Sequence, residues 1–159
     1  MMKNEKVQIS NNKTLKLSNV LIKEIDLQKS GELAKEVYQM DNYLKNKGGQ
    51  PIGPHIQYSY IDGEHTEDVK LILKIMRQSN TFIHNIEAPY KMESIIRVKN
   101  CMYARYTGEE SKLKFAYDKI NLIAFEEDIP LKGDSYTIFV NSNEDGIIAD
   151  VFMERADDE

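Results

Sequence analysis

Nine tyrosines and no tryptophan make tyrosine the aromatic side chain best placed to do chemistry in this chain. Tyr58 and Tyr60 alternate in HIQYSYI, Tyr103 and Tyr106 lie in MYARY, and Tyr136 stands beside Thr137 and Phe139 in SYTIFV. A ring with one polar end suits the wall of a cleft that holds a flat, hydrophobic molecule, with Thr137 adding a polar contact. The competing account is that tyrosine favours strands and fills core or rim. Asp150 lies between Ile148 and Phe152 on an alternating segment, with Glu154 further along the same side. It is either a pocket acid or one member of cross-strand pairs with Lys70 and Lys74, each worth a few tenths to about 1 kcal/mol.

Other chemistries find less support. His55, His65 and His84 are widely spaced and form no i, i+4 pair, so no metal site is expected. Cys101 has Lys99 and Arg105 nearby, which could lower a thiol pKa, but a lone cysteine in a strand reads as a small buried hydrophobe. There is no G-x-S-x-G, Cys/His, P-loop or dinucleotide fingerprint, so neither nucleophilic catalysis nor a cofactor is expected.

The elements that must position these residues follow from periodicity. Thr14 to Ile25 reads as a strand. Gly31 to Lys47 places Leu33, Val37, Met40 and Leu44 on one helical face, between an N-cap at Ser30 and a stop at Gly48-Gly49. His55–Ile61 and Val69–Met76 alternate as two strands of a hairpin, with Ile56, Tyr58 and Tyr60 on one side of the first. In the second, Val69, Leu71, Leu73 and Ile75 share a side. Glu93 to Tyr106 is a strand bent near Lys99-Asn100. Thr107 and Glu110 fit a capping box for a second helix carrying Leu113, Ala116, Ile120 and Ile123, and two closing strands flank NSNEDG.

Composition limits the partners. The chain has 159 residues, 41% hydrophobic and 30% charged, with Lys+Arg 21 against Asp+Glu 26 for a net charge of −5. One globular domain over 1–159 is expected. No basic run points to nucleic acid, the polar N-terminus predicts neither a signal peptide nor membrane insertion, and a single cysteine fits the cytoplasm.

The order strand, helix, strand, strand occurs twice, offset by about 80 residues, over 14–77 and 93–155 with an apolar bridge at 78–92. Under that offset Val69, Leu71 and Leu73 fall on Ala149, Val151 and Met153. Lys70 and Lys74 fall on Asp150 and Glu154.

This doubled unit, with KNKGGQPIGPHIQYSY, EDVKLILKI, ARYTGEESKL and SYTIFVNSNEDGIIADVFMER in that order, resembles the bacterial GyrI-like, or AraC-type, effector-binding domain in its stand-alone form. The resemblance covers roughly residues 15 to 155. It implies an α+β fold: two βαββ repeats forming a curved antiparallel sheet with two main helices on one face. It further implies a small-molecule site between the halves, often marked by a buried glutamate on the strand after the second helix. Here that strand carries Ser135 and Thr137 instead. The expected function is a non-catalytic domain binding a hydrophobic or aromatic effector, as sensor or sink; the resemblance also implies, as a minor alternative, hydrolysis of an activated small molecule. The ligand residues would be Tyr58, Tyr60, Tyr103, Tyr106, Tyr136, Thr137, Phe139 and Asp150. The alternative is a protein-interaction module with a plugged cleft, an enzyme inhibitor or an accessory protein of a toxin or secretion gene cluster, whose partner docks on acidic segments such as Glu126-Glu127-Asp128 or Asp157-Asp158-Glu159.

Overall fold

The computed structural model describes residues 6–26, 33–62 and 69–157. Ser30, His65, most of the first hairpin's loop and the last two acidic residues of the tail lie outside them. Among the described residues the chain is α+β, with six strands and two α-helices. The elements are β1 (Lys6–Ile25), α1 (Leu33–Asn46), β2 (Pro51–Asp62), β3 (Lys70–Ser79), β4 (Tyr90–Gly108), α2 (Lys114–Glu126), β5 (Asp134–Asn143) and β6 (Gly146–Glu154). β1 begins well before the expected Thr14.

The chain divides into two compact units, Lys16–Arg97 and the pair of segments Met1–Leu15 and Val98–Glu159. In the first, β3 pairs antiparallel with both β1 and β2. Its core gathers Leu21, Ile25, Ile75 and Ile83 against Met40 and Leu44 of α1. Full burial of such side chains contributes about 1.5–3 kcal/mol each. Arg77 donates to Asp41 at 2.7 Å and Lys23 meets Glu36 at 2.6 Å, tying β3 and β1 to the polar flanks of α1. The bridge is no free linker: Ile83 and Ile86 pack into this core, and Tyr90 stacks on Tyr43 with centroids 4.3 Å apart.

In the other unit β6 pairs antiparallel with β4 and β5. Met102, Ala104, Tyr106, Ala149 and Val151 pack against Ala116 and Ile120 of α2. The alternating apolar positions thus face a helix in each unit. Val69 and Leu71 are exceptions, standing exposed at the tip of the β2–β3 hairpin.

The bend expected in β4 falls at Asn100, where φ is +61°, and β1 has the same feature at Asn19, with φ +50°. Asparagine tolerates this left-handed region better than most residues. Each amide donates to a carbonyl near the end of a long strand's partner segment, Asn19 to Ser79 at 3.4 Å and Asn100 to Asp157 at 2.8 Å.

Both helices end alike. Gly49 N–H donates to the Leu44 carbonyl and Lys47 N–H to that of Tyr43; Ile129 donates to Ala124 and Glu127 to Ile123. Gly48 and Asp128 hold the left-handed turn between them, with φ +95° and +55°.

The capping box does not form. Thr107 is drawn into the β4–β6 ladder opposite Ile148. A 3-10 turn at Glu110–Lys112 intervenes, and α2 starts at Lys114 behind Leu113, which caps with no side chain. Ladder pairing satisfies the backbone of Thr107 and fixes it in extended geometry, so the helix nucleates one turn later. None of the helices among the described residues is long and apolar enough to cross a membrane.

Candidate functional site

The strand alternation of β4, β5 and β6 separates the expected site residues onto two faces. On the face toward α2 lie Tyr106, Thr137 and Phe139. Tyr106 is fully buried and donates its hydroxyl to the Glu109 carbonyl at 2.6 Å. Thr137, also buried, shares a hydrogen bond with the Tyr117 hydroxyl, and Phe139 packs on the α2 core. Burial pushes the Tyr117 phenol up, with the Thr137 hydrogen bond opposing it. These three side chains serve the interior of the unit.

On the opposite face the register sets Tyr103 and Tyr136 on either side of Phe152, and Arg105 and Ile138 on either side of Asp150. The rings of Tyr103 and Phe152 are 5.0 Å apart at 51°, and the Lys13 ammonium lies 5.5 Å from the Tyr103 centroid. Arg105 grips Asp150 with both arms, Nε to Oδ1 at 2.7 Å and Nη2 to Oδ2 at 2.9 Å, while Tyr103 donates to Oδ1 at 2.9 Å. The Asp150 side chain is 13% exposed and that of Arg105 41%. The fork geometry makes this a specific contact. It holds the Arg105 pKa above the ordinary guanidinium value, mainly through the Asp150 hydrogen bond. Burial and then the Asp150 hydrogen bond raise the Tyr103 phenol.

Asp150 and Glu154 have partners within their own unit. The ladder puts Arg105 directly opposite Asp150. Glu154 meets Lys132 at 2.8 Å. Lys74 instead lies 5.7 Å from the centroid of Tyr60, across from Tyr58 in the register. Tyr58 and Tyr60 have centroids 5.5 Å apart on the face of β2 that carries Ile56, away from the α1 core. The first unit also holds a hollow of about 370 Å³ lined by Phe82, His84, Ile86, Tyr90 and Met92.

Sequence reasoning missed Arg105, Phe152 and Lys13 as members of the aromatic face. The signal for the first two was available: Arg105 is two residues from Tyr103, and Phe152 two from Asp150, so each shares a strand face with a residue already singled out. Lys13 carried no such signal.

Cys101 is fully buried, and its thiol is pushed up to about 12 from an ordinary 9.0, by burial first and then by Glu154 and Asp134. The native thiol is therefore expected to resist a thiol-specific disulfide reagent at neutral pH and to react fully once unfolded. The sign for stability follows. The unfolded chain loses this proton near 9.0 and the folded chain only near 12, so unfolding releases a proton between those values and stability falls as pH rises through them. Denaturation of the Cys101→Ala variant across that window should lack this part of the wild-type loss; parallel pH profiles would refute the assignment.

No protein-family model matches the chain, and no curated protein matches it in sequence. Solved structures do resemble it. EcmrR, solved in complex with DNA, superposes with a TM-score of 0.64 at 11% identity, over 95% of this chain and 57% of the EcmrR chain. This chain therefore spans little more than half of that protein. A hydrolase encoded by lin2189 from Listeria innocua superposes with a TM-score of 0.52 at 9% identity, over 98% of this chain and 93% of the other. What the chain shares with both, at such identities, is a fold.

Proposed function

We propose that this chain is a GyrI-like effector-binding module: a duplication of one βαββ unit that binds a hydrophobic or aromatic small molecule without transforming it, as a sensor or sink. The observation that carries the reading is the Tyr103–Phe152–Tyr136 row beside the Arg105–Asp150 pair. Tyr136 and Phe152 are each 8% exposed and Tyr103 and Arg105 stay partly exposed, so a flat ligand would enter past Tyr103 and the Arg105–Asp150 edge to stack on rings otherwise enclosed. The fold likeness to EcmrR supports a regulatory class, and the matching helix ends and strand bends support the duplication. The lin2189 hydrolase shares the fold as well, but turnover needs an available acid or base, and Asp150 already accepts from Arg105 and Tyr103.

The ion pair also sets the charge preference. A carboxylate held by a bidentate guanidinium has little left for a ligand cation, so neutral aromatic compounds should raise the melting temperature and aromatic cations should not. In Arg105→Gln the carboxylate is released, and aromatic cations should then bind about tenfold or more tighter than to wild type. A thermal-shift screen followed by titration checks both. If no aromatic compound of any charge moves the melting temperature of either protein, the effector reading fails.

A further inference from the structure

The outward ridge of α2 is apolar. Phe115, Leu122 and Phe125 are 44%, 56% and 83% exposed, while Ala116, Ile120 and Ala124 occupy the buried side. Positions 115, 118, 122 and 125 follow one another at steps of three, four and three, which makes them a single seam of a and d positions. The first unit supplies a control. The two helices end in the same hydrogen bonds, with Leu44 standing where Ala124 stands. By that correspondence the α1 seam is Lys35, Tyr38, Asn42 and Lys45. Three of these four are polar or charged and the fourth, Tyr38, is 68% exposed with a polar end, close to the polar outer face a surface helix ordinarily presents. Nothing in the fold demands phenylalanine there, and α2 has two.

We infer that the α2 ridge is a self-association surface, on which α2 of a second copy of this chain lies antiparallel about a twofold axis. Charge selects both occupant and direction. Lys119 and Glu126 flank the seam on one side and Lys114 and Asn121 on the other. In the antiparallel arrangement Phe115 packs on Phe125 of the second copy, and Lys119 faces Glu126 of the second copy, an attraction that the twofold repeats. A parallel arrangement sets Asp118 against Asp118 and Lys114 against Lys119, like charges at both places. The ridge is thus self-complementary in one orientation only, as an isologous contact requires. Asp118 falls opposite Leu122 in the seam, where a polar residue limits alternative registers. A helix of 13 residues offers less than a standard interface, so the dimer should be reversible and concentration-dependent.

Sedimentation equilibrium of the full chain over a concentration series tests this directly. Wild type should pass from monomer to dimer mass as concentration rises. Phe125→Glu should weaken the dimer about a hundredfold, because it removes an aromatic anchor and adds a charge to the seam. Lys119→Glu should weaken it about tenfold, and Lys119→Glu with Glu126→Lys should restore it. All three positions are exposed, so unchanged thermal melts at dilute concentration serve as the folding control. A wild-type chain that stays monomeric throughout, or a dimer indifferent to Phe125→Glu, overturns the inference. Failure of the double swap to recover association overturns the antiparallel register.

Discussion

Gly146→Ala is expected to destabilise the protein by about 3 kcal/mol. Gly146 opens β6 with φ +139°, a conformation that side-chain-bearing residues rarely adopt. A Cβ placed there would stand 2.3 Å from the Gly108 carbonyl oxygen and 2.9 Å from its carbon. Both are backbone atoms, so no rotamer change relieves the contact. Gly108 is itself fixed, since it pairs with Ile147 in the β4–β6 ladder. Relief would require parting the end of that ladder or remodelling the turn after Asn143. Glu144→Ala in the same turn meets no such obstacle and should stay within about 0.5 kcal/mol of wild type. Denaturant unfolding followed by circular dichroism distinguishes them; equal midpoints for Gly146→Ala and wild type would show that the turn adapts more easily than this geometry allows.

Ile120→Ala is expected to cost about 3–4 kcal/mol, whereas Leu122→Ala, two residues along the same helix, should change stability by less than about 0.5 kcal/mol at dilute concentration. Ile120 is fully buried among Met102, Ala104, Ala149 and Val151. Truncation there removes transfer energy and leaves a cavity walled by β4 and β6, strands whose ladder resists collapse. Leu122 points outward and buries little. Losses of similar size from the two substitutions would mean that the outer ridge is already covered in the folded chain, contrary to its exposure.

The contrast between these two positions also shows where sequence reasoning works. Leu113, Ala116, Ile120 and Ile123 mark the inner face of α2 by spacing alone, because a helix in water must bury one stripe. Phe115, Leu122 and Phe125 are equally apolar, and spacing does not say that they face out. For that, Ala149 and Val151 must be known to fill the opposite side. The capping box failed for a related reason: Thr107 and Glu110 have the right spacing, but the ladder with Ile148 had a prior claim on Thr107.

The candidate site was legible in part. Alternation separates Tyr103 from Tyr106 and Tyr136 from Thr137, and it puts Asp150 on a row with Phe152. It does not give register. Whether Asp150 meets a lysine from β3 or Arg105 depends on which strand lies beside β6 and at what offset, and backbone hydrogen bonds over the length of the ladder decide that.

By itself, then, the sequence determined the element types, their order, the helix stop at Gly48, the bend at Asn100 and, Val69 and Leu71 apart, the faces turned toward the helices. These are local consequences of periodicity and backbone preference, written in residues a few positions apart. Only the tertiary structure decided that Arg105 and Tyr103 engage Asp150, that Tyr106, Thr137 and Phe139 belong to the interior, and that α2 carries an uncovered apolar ridge. Each depends on strand register or on which face a neighbouring element occupies, and those choices are made between segments far apart in the chain.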